Sequence, residues 1–502
     1  MPPDRLLGWL APGLVALFAG LLRIINLSYP AKFVFDETYY PKDAYSLLRF
    51  GHEREFVEDA ESKILGGNFT QLFDGPTFVA HPPAGKWVIA LGEWVFGMNP
   101  FGWRIVVALL GTLSVLVIAR IVRRMTGSTL LGCVAGLLLA LDGLHFVESR
   151  IALVDLPMMF WILLALACLL IDRDRMRSRL VDAVAPVTGR VSGYGPALWW
   201  RPWRVTAGLC LGIACGTKWS AVFVLAGFGL LTWAWDLGAR YAVGAKLLAA
   251  GNWLRTLAQT GTAVLSLVGT AVLTYIATWT GWLFSSDSYL RTWAEGNSAT
   301  GLAALVPNGL RSLWHYHSEI MNFHTSLSED HPYSSHPWGW LIVARPVSFD
   351  WNDNIGPQQG CPTDRCIREI LGIGTPVLWW AAVLALVVCV IWWLAARDWR
   401  FGIPVVGVAT TWLPWLYWSD RPIFFFYAVV ILPFLVIGLT LVLGMVLGTH
   451  RGSVDRRMWG TAAVGGFVLL VVLNFAYFYP ILTDQLITYE QWLARMWFNS
   501  WV

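Results

Sequence analysis

Charge is scarce in this sequence: only 14% of its 502 residues are Asp, Glu, Lys or Arg, against 56% hydrophobic ones, at a mean hydropathy of +0.56. That balance excludes an ordinary soluble domain. No basic run long enough for nucleic-acid binding occurs, and the net charge of +4 is small. What fills the space is apolar length. Runs of about 17 to 25 residues recur along almost the whole chain, enough to span a hydrocarbon core of about 30 Å, and about eleven crossings meet that criterion. The first run, residues 6–26, follows Arg5 as a signal sequence would, but it is too long and has no small-x-small cleavage site, so it reads as an uncleaved span. The 31 Trp residues suit the headgroup level.

Basic loops stay in the cytoplasm, which fixes the orientation. Arg5 and the segments 120–124, 173–204, 240–255, 397–400 and 451–457 hold 19 of the 36 Lys and Arg residues. They predict a cytoplasmic N-terminus and, with an odd number of crossings, an external C-terminus. Two long loops, about 28–102 and 284–374, then fall outside the cell. Within the first loop, residues 36–50 carry Tyr39, Tyr40, Ala44, Leu47 and Leu48 on one helical face, and 86–98 is too short to cross. Both predict interfacial helices. The stretch 205–217 is also short for a span, so Lys218 is expected within the membrane-facing body.

This topology gathers Asp36, Glu37, Arg104, Arg150, Asp155, Lys218 and Arg421 near one membrane surface. Charges there are costly and usually face a cavity or a partner. Carboxylates mixed with cations suit transfer of a group from an anionic lipid: Lys or Arg holds the departing phosphate, and Asp or Glu takes the proton of the incoming hydroxyl. Composition alone leaves transporters and other lipid-processing enzymes open, although no internal repeat of the transporter kind is visible.

The ordered motifs discriminate further. Phe35-Asp36-Glu37-Thr38-Tyr39-Tyr40, then His81-Pro82-Pro83 with Gly85-Lys86-Trp87 and Phe101-Gly102-Trp103-Arg104, resemble the opening blocks of the protein O-mannosyltransferases. Glu148-Ser149-Arg150 through Asp155, Lys218-Trp219-Ser220, His331 to Trp340 with Arg345-Pro346, and Arg421 with Phe426 and Tyr427 resemble later blocks in the same order. His336 departs from that pattern, standing where a Lys is usual. The resemblance implies an all-α polytopic membrane protein of type C glycosyltransferase fold, residues 1–502 forming one catalytic domain. It also implies an inverting transfer of one mannose from polyprenyl phosphate mannose to Ser or Thr of exported proteins, at the outer face of a bacterial cytoplasmic membrane. The second loop is too short for the β-trefoil domain of eukaryotic members. Another type C glycosyltransferase acting on a lipid or cell-wall glycan is the nearest alternative, and a transporter the next.

The resemblance makes Asp36 the general base and Glu37 the residue that positions acceptor or donor. Lys218 and Arg421 become the phosphate ligands, with Arg104 either a third or the partner of an acidic neighbour. Arg150 and Asp155 are expected to pair and shape the site, along with His81, His331, Tyr333 and Trp338. The chemistry requires no cofactor or metal; His315, His317, His324 and His331 lack a zinc spacing, so no metal is assigned, though a divalent ion stays compatible. Cys361 and Cys366 lie in the second outer loop, where a disulfide is permitted, whereas the other five Cys sit in apolar runs. Contact with the protein export machinery suits such an enzyme, but no residue specifies it.

Overall fold

The computed structural model describes residues 4–185, 195–196, 198–246, 252–329, 331–448 and 452–502. Arg190 and Arg451, two of the basic-loop residues, lie outside these segments. Among the described residues, seven helices are long and apolar enough to cross a membrane: Leu7–Ile24, Pro100–Thr126, Asp155–Val184, Ala221–Ala242, Trp253–Thr278, Pro376–Ala396 and Val454–Leu482. Thr129–Ala140 and Leu432–Leu447 are apolar but shorter. The eleven crossings counted from apolar runs therefore include helices below that threshold, because a run of apolar sequence does not show where a turn interrupts it.

Local chemistry sets the boundaries. Asn99 caps Pro100–Thr126 by accepting from the Gly102 N–H, and Pro100 occupies the first turn. Gly127, at φ +72°, ends that helix, and Ser128 at once caps Thr129–Ala140. The two therefore pack as a tight antiparallel pair. The core is centred on Asp155–Val184 and Leu432–Leu447, both buried over most of their surface. The first helix instead exposes Leu10, Leu14, Leu17 and Leu21, which suits lipid rather than water.

The two expected loop helices are present as Tyr40–Phe50 and Ala84–Phe96, which pack on each other. The second leaves Leu91, Trp94, Val95 and Phe96 exposed on an apolar face. Tyr40–Phe50 ends at Gly51, whose backbone lies so close to Gly281 that a Cβ at 281 would sit 1.9 Å from the Gly51 carbonyl. Only glycine permits that approach between the first loop and the end of the Trp253–Thr278 span.

The all-α expectation needs correction. Arg54–Phe56 pairs with Phe73–Pro76, and a three-stranded antiparallel sheet joins Val347–Ile355, Cys366–Gly372 and Ile487–Thr488. Three of these strands have four residues or fewer, whereas Val347–Ile355 and Cys366–Gly372 are longer and the latter is largely buried. The last pairs across a long sequence interval, Ile367 with Ile487, which local periodicity does not reveal.

Candidate active site

The loop that carries Asp36 is fixed from both sides. Phe35 adopts φ +50°, a costly conformation for a bulky residue. Its ring is enclosed by Phe349, Phe426, Phe424 and His331, with centroids 5.3, 5.7, 6.1 and 6.3 Å away. On the other side Glu37 is fully buried. Its carboxylate accepts from Arg104 Nε at 2.8 Å and Nη2 at 2.6 Å, and from the Val34 and Ala152 N–H groups at 3.0 and 2.9 Å. Arg104 uses its remaining donors on the carbonyls of Leu27, Pro30 and Lys32.

These contacts reassign two residues. Glu37 has no free lone-pair direction for a substrate, and Arg104 has no free donor for a phosphate. Together they clamp the first loop to the start of Pro100–Thr126 and to the turn before Asp155. The alternative weighed for Arg104, an acidic neighbour, is the contact observed.

Asp36 differs from its neighbour. Among the described residues none donates a hydrogen bond to its carboxylate, and burial is the main cause that pushes its pKa up to about 7. The nearby Lys218 charge opposes that rise and Asp155 adds to it. Lys218 is buried, pairs with Asp155 at 2.8 Å and lies 3.6 Å from the centre of the Tyr427 ring. Arg421 donates to His324 Nδ1 at 3.0 Å, while its Nε is buried without a hydrogen-bond partner among the described residues. His324 is held neutral, its pKa pushed down to about 4 by burial and by the Arg421 charge.

Lys218, Arg421, His81 and Tyr427 lie at the polar side of a cavity of about 460 Å³. Its other walls are largely apolar, with Val222, Phe223, Leu225, Ala271 and Val272 among them. An anionic head with a long apolar tail fits this combination: the cations take the charge and the interhelical walls take the chain. Asp36, a carboxylate able to take a proton near neutrality, is not among the cavity's lining residues but lies in the field of Lys218, which is.

Two consequences are measurable. A base with a pKa of about 7 is protonated below it, so transfer at limiting acceptor and saturating donor should rise with pH through about 7 and level off above. A rate falling over that interval would contradict Asp36 as the base. Arg421→Ala should raise the donor KM on the order of 10- to 100-fold with a smaller change in folding, since a hydrogen bond to a charged group contributes about 1.5–3 kcal/mol. Donor titration of the purified variant measures it.

The remaining candidates are dispersed. Arg150 does not pair with Asp155; its guanidinium donates to the carbonyls of Leu22, Arg23, Ile25 and Asn26 at 2.8 to 3.2 Å. There it caps the C-terminal end of the first helix, where a cation is favoured. His331 sits 4.9 Å from Phe424 and belongs to the enclosure of Phe35; Tyr333 donates its backbone N–H to His331. Trp338 is 64% exposed and meets Trp412 edge-on, outside the charged cluster. Cys361 and Cys366 are disulfide-bonded.

Sequence reasoning passed over Tyr40, His324 and a buried group in which Lys86 pairs with Glu53 and, at 3.6 Å, with Asp43. Lys86 belongs to the motif blocks quoted above, the one sequence signal for this group. In the sequence His324 stands out only as a member of a histidine series without zinc spacing. Of that series, His315 stacks on Trp293, His317 hydrogen-bonds Tyr275, and His324 engages Arg421 and the Ala80 carbonyl.

Known proteins place this arrangement. The family model described as dolichyl-phosphate-mannose-protein mannosyltransferase matches residues 13–280, and that described as the C-terminal four TMM region of protein-O-mannosyltransferase matches 309–501. A polyprenol-phosphate-mannose--protein mannosyltransferase of Mycobacterium tuberculosis is 38% identical over all of this chain and 93% of its own length. Its namesake in Corynebacterium glutamicum is 33% identical over 97% of this chain and 92% of its own length. The fold matches a solved structure of the Saccharomyces cerevisiae protein O-mannosyltransferase Pmt1-Pmt2 complex bound to the sugar donor, with a TM-score of 0.72 and 15% identity over 99% of this chain and 92% of that one. Two family models that together cover most of the sequence, and relatives matched almost end to end, leave one conclusion: this multi-pass membrane chain belongs to the protein O-mannosyltransferase family.

Proposed function

We propose that the enzyme transfers a single mannose from polyprenyl phosphate mannose to Ser and Thr hydroxyls of exported proteins, at the outer face of a bacterial cytoplasmic membrane. The observation that carries the reading is the Asp36 carboxylate, without a hydrogen-bond donor among the described residues, in the field of the Lys218–Asp155 pair, whose Lys218 lines an apolar cavity. The names of the mycobacterial and corynebacterial relatives supply the donor and the protein acceptor. The topology that accompanies the reading has about eleven crossings, counting Pro202–Cys215, Trp399–Tyr417 and the two shorter apolar helices, with the N-terminus inside and the C-terminus outside.

In this mechanism Asp36 takes the hydroxyl proton as the acceptor oxygen attacks C1 of the sugar. The C1–oxygen bond to phosphate breaks on the opposite side, so the anomeric centre inverts. The electron pair stays on the phosphate oxygen, where Lys218 and Arg421 stabilise it. Side-chain cations supply that stabilisation, and the step is written without a metal. Glu37 and Arg104 hold Asp36 in register.

Purified enzyme in detergent or liposomes, labelled polyprenyl phosphate mannose and a Ser/Thr-rich peptide test the reading together. Label should enter the peptide and be released by alkaline β-elimination, and a Ser/Thr-to-Ala peptide should stay unlabelled. Label found in lipid or glycan instead would transfer the assignment to the glycan-modifying alternative.

A further inference from the structure

Two histidine rings lie against each other beside the cations, with centroids 5.4 Å apart, yet their nitrogens are differently employed. Arg421 can only donate, so His324 Nδ1 accepts from it and Nε2–H donates to the Ala80 carbonyl at 2.9 Å. Both His324 nitrogens are committed. Neither nitrogen of His81 hydrogen-bonds to any described residue, although the ring lines the cavity together with Lys218 and Arg421.

The surroundings of His81 are lopsided. Lys218 faces it from the turn after Pro202–Cys215, Arg421 from the segment before Phe425, Lys86 from the helix Ala84–Phe96, and His324 from Asn308–Ser326. Burial and these charges hold the imidazole neutral, well below its usual range. The Tyr40 ring, 6.2 Å away, completes the wall, and its phenol lies in the field of Asp36. A neutral ring with two idle nitrogens among cations is a site prepared for an anion. Once a negative group enters, the balance that keeps the proton off is reversed.

We infer that His81 is a third ligand of the lipid-linked phosphate, taking a proton from water as the diester enters between it, Lys218 and Arg421. The inference rests on the donor reading of the cavity. During transfer the acceptor proton goes to Asp36, the bond from C1 to the acceptor oxygen forms, and the bond from C1 to the phosphate oxygen breaks with its electrons on phosphate. The phosphate passes from a singly to a doubly charged state, and the imidazolium already faces the second charge. Donor binding then weakens as pH rises while Asp36 needs the higher pH, so the overall rate passes through an optimum.

The full-length Asp36→Asn enzyme tests this, because it should bind donor without turnover and residue 36 no longer titrates. The probe is polyprenyl phosphate mannose, a diester without a proton to exchange near neutrality. Calorimetry near pH 7.5, about one unit above the ordinary histidine pKa, in buffers of different ionisation enthalpy counts protons. Asp36→Asn should take up a substantial fraction of a proton, and Asp36→Asn/His81→Gln should bind on the order of tenfold more weakly with that uptake lost. Equal uptake by the two overturns the inference and leaves the donor reading standing. Failure of Asp36→Asn itself to bind donor would remove the donor reading. Should the double variant bind too weakly to measure, the donor Kd of Asp36→Asn against pH decides: a rise above neutrality supports His81, and a flat profile overturns it.

Discussion

Replacing Asp36 by Asn is expected to lower mannosyl transfer by about 10²- to 10⁴-fold, the range a positioned general base contributes. In barrier terms that is about 3–5 kcal/mol. The expected loss is specific to chemistry. The Asp36 carboxylate accepts no hydrogen bond from the described residues, so the amide breaks none, and burial already favours the uncharged form. Donor affinity and thermal unfolding should therefore stay close to wild type. Single-turnover transfer from pre-bound donor separates the two effects, and an Asp36→Asn enzyme with normal single-turnover rates would eliminate Asp36 as base.

Glu37→Ala should produce the opposite signature, with its largest effect on folding. The carboxylate is fully buried and receives two donors from Arg104 and two from the backbone of Val34 and Ala152. Its removal strands the Arg104 guanidinium with carbonyl partners alone, and breaking a buried pair from one side costs about 3–5 kcal/mol. The apparent unfolding temperature in detergent should fall by several degrees or more, and activity should be lost with it. Arg104→Ala is expected to do the same, and the double variant less than the sum, because the two residues share one interaction. A Glu37→Ala protein as stable as wild type would refute the clamp. The adjacent pair Asp36-Glu37 thus divides in its surroundings: one carboxylate receives four hydrogen bonds, the other none from the described residues.

That division marks the boundary of what the sequence could tell. The shared location of Asp36, Lys218 and Arg421 was legible, because basic loops fix the side of each turn and charges near spans are costly enough to need a reason. Which of two neighbouring carboxylates turns inward was not legible, since it depends on Ala152 and Arg104, distant in sequence and brought in by packing. Arg150 misled for a similar reason. It lies close to Asp155 in sequence but reaches the carbonyls that end the first helix, an attraction of the helix end that no pairwise charge reading includes. The pairing of Cys366–Gly372 with Ile487–Thr488 escaped because its partners are remote in sequence. His324 and Tyr40 escaped because a histidine on a loop helix and a tyrosine on an amphipathic one have ordinary structural uses. The loop helix at 40–50 is legible because its apolar residues recur at helical spacing, and that at 84–96 because its apolar run is too short to cross the membrane.

The most direct test of the whole account is a structure of the Asp36→Asn enzyme with polyprenyl phosphate mannose bound. The account expects the phosphate within hydrogen-bond distance of Lys218 and Arg421, the chain in the cavity walled by Phe223 and Val272, and the C1 face of the sugar open toward an acceptor beside residue 36. A phosphate bound at another place, with Lys218 still paired to Asp155 and Arg421 still on His324, would contradict it.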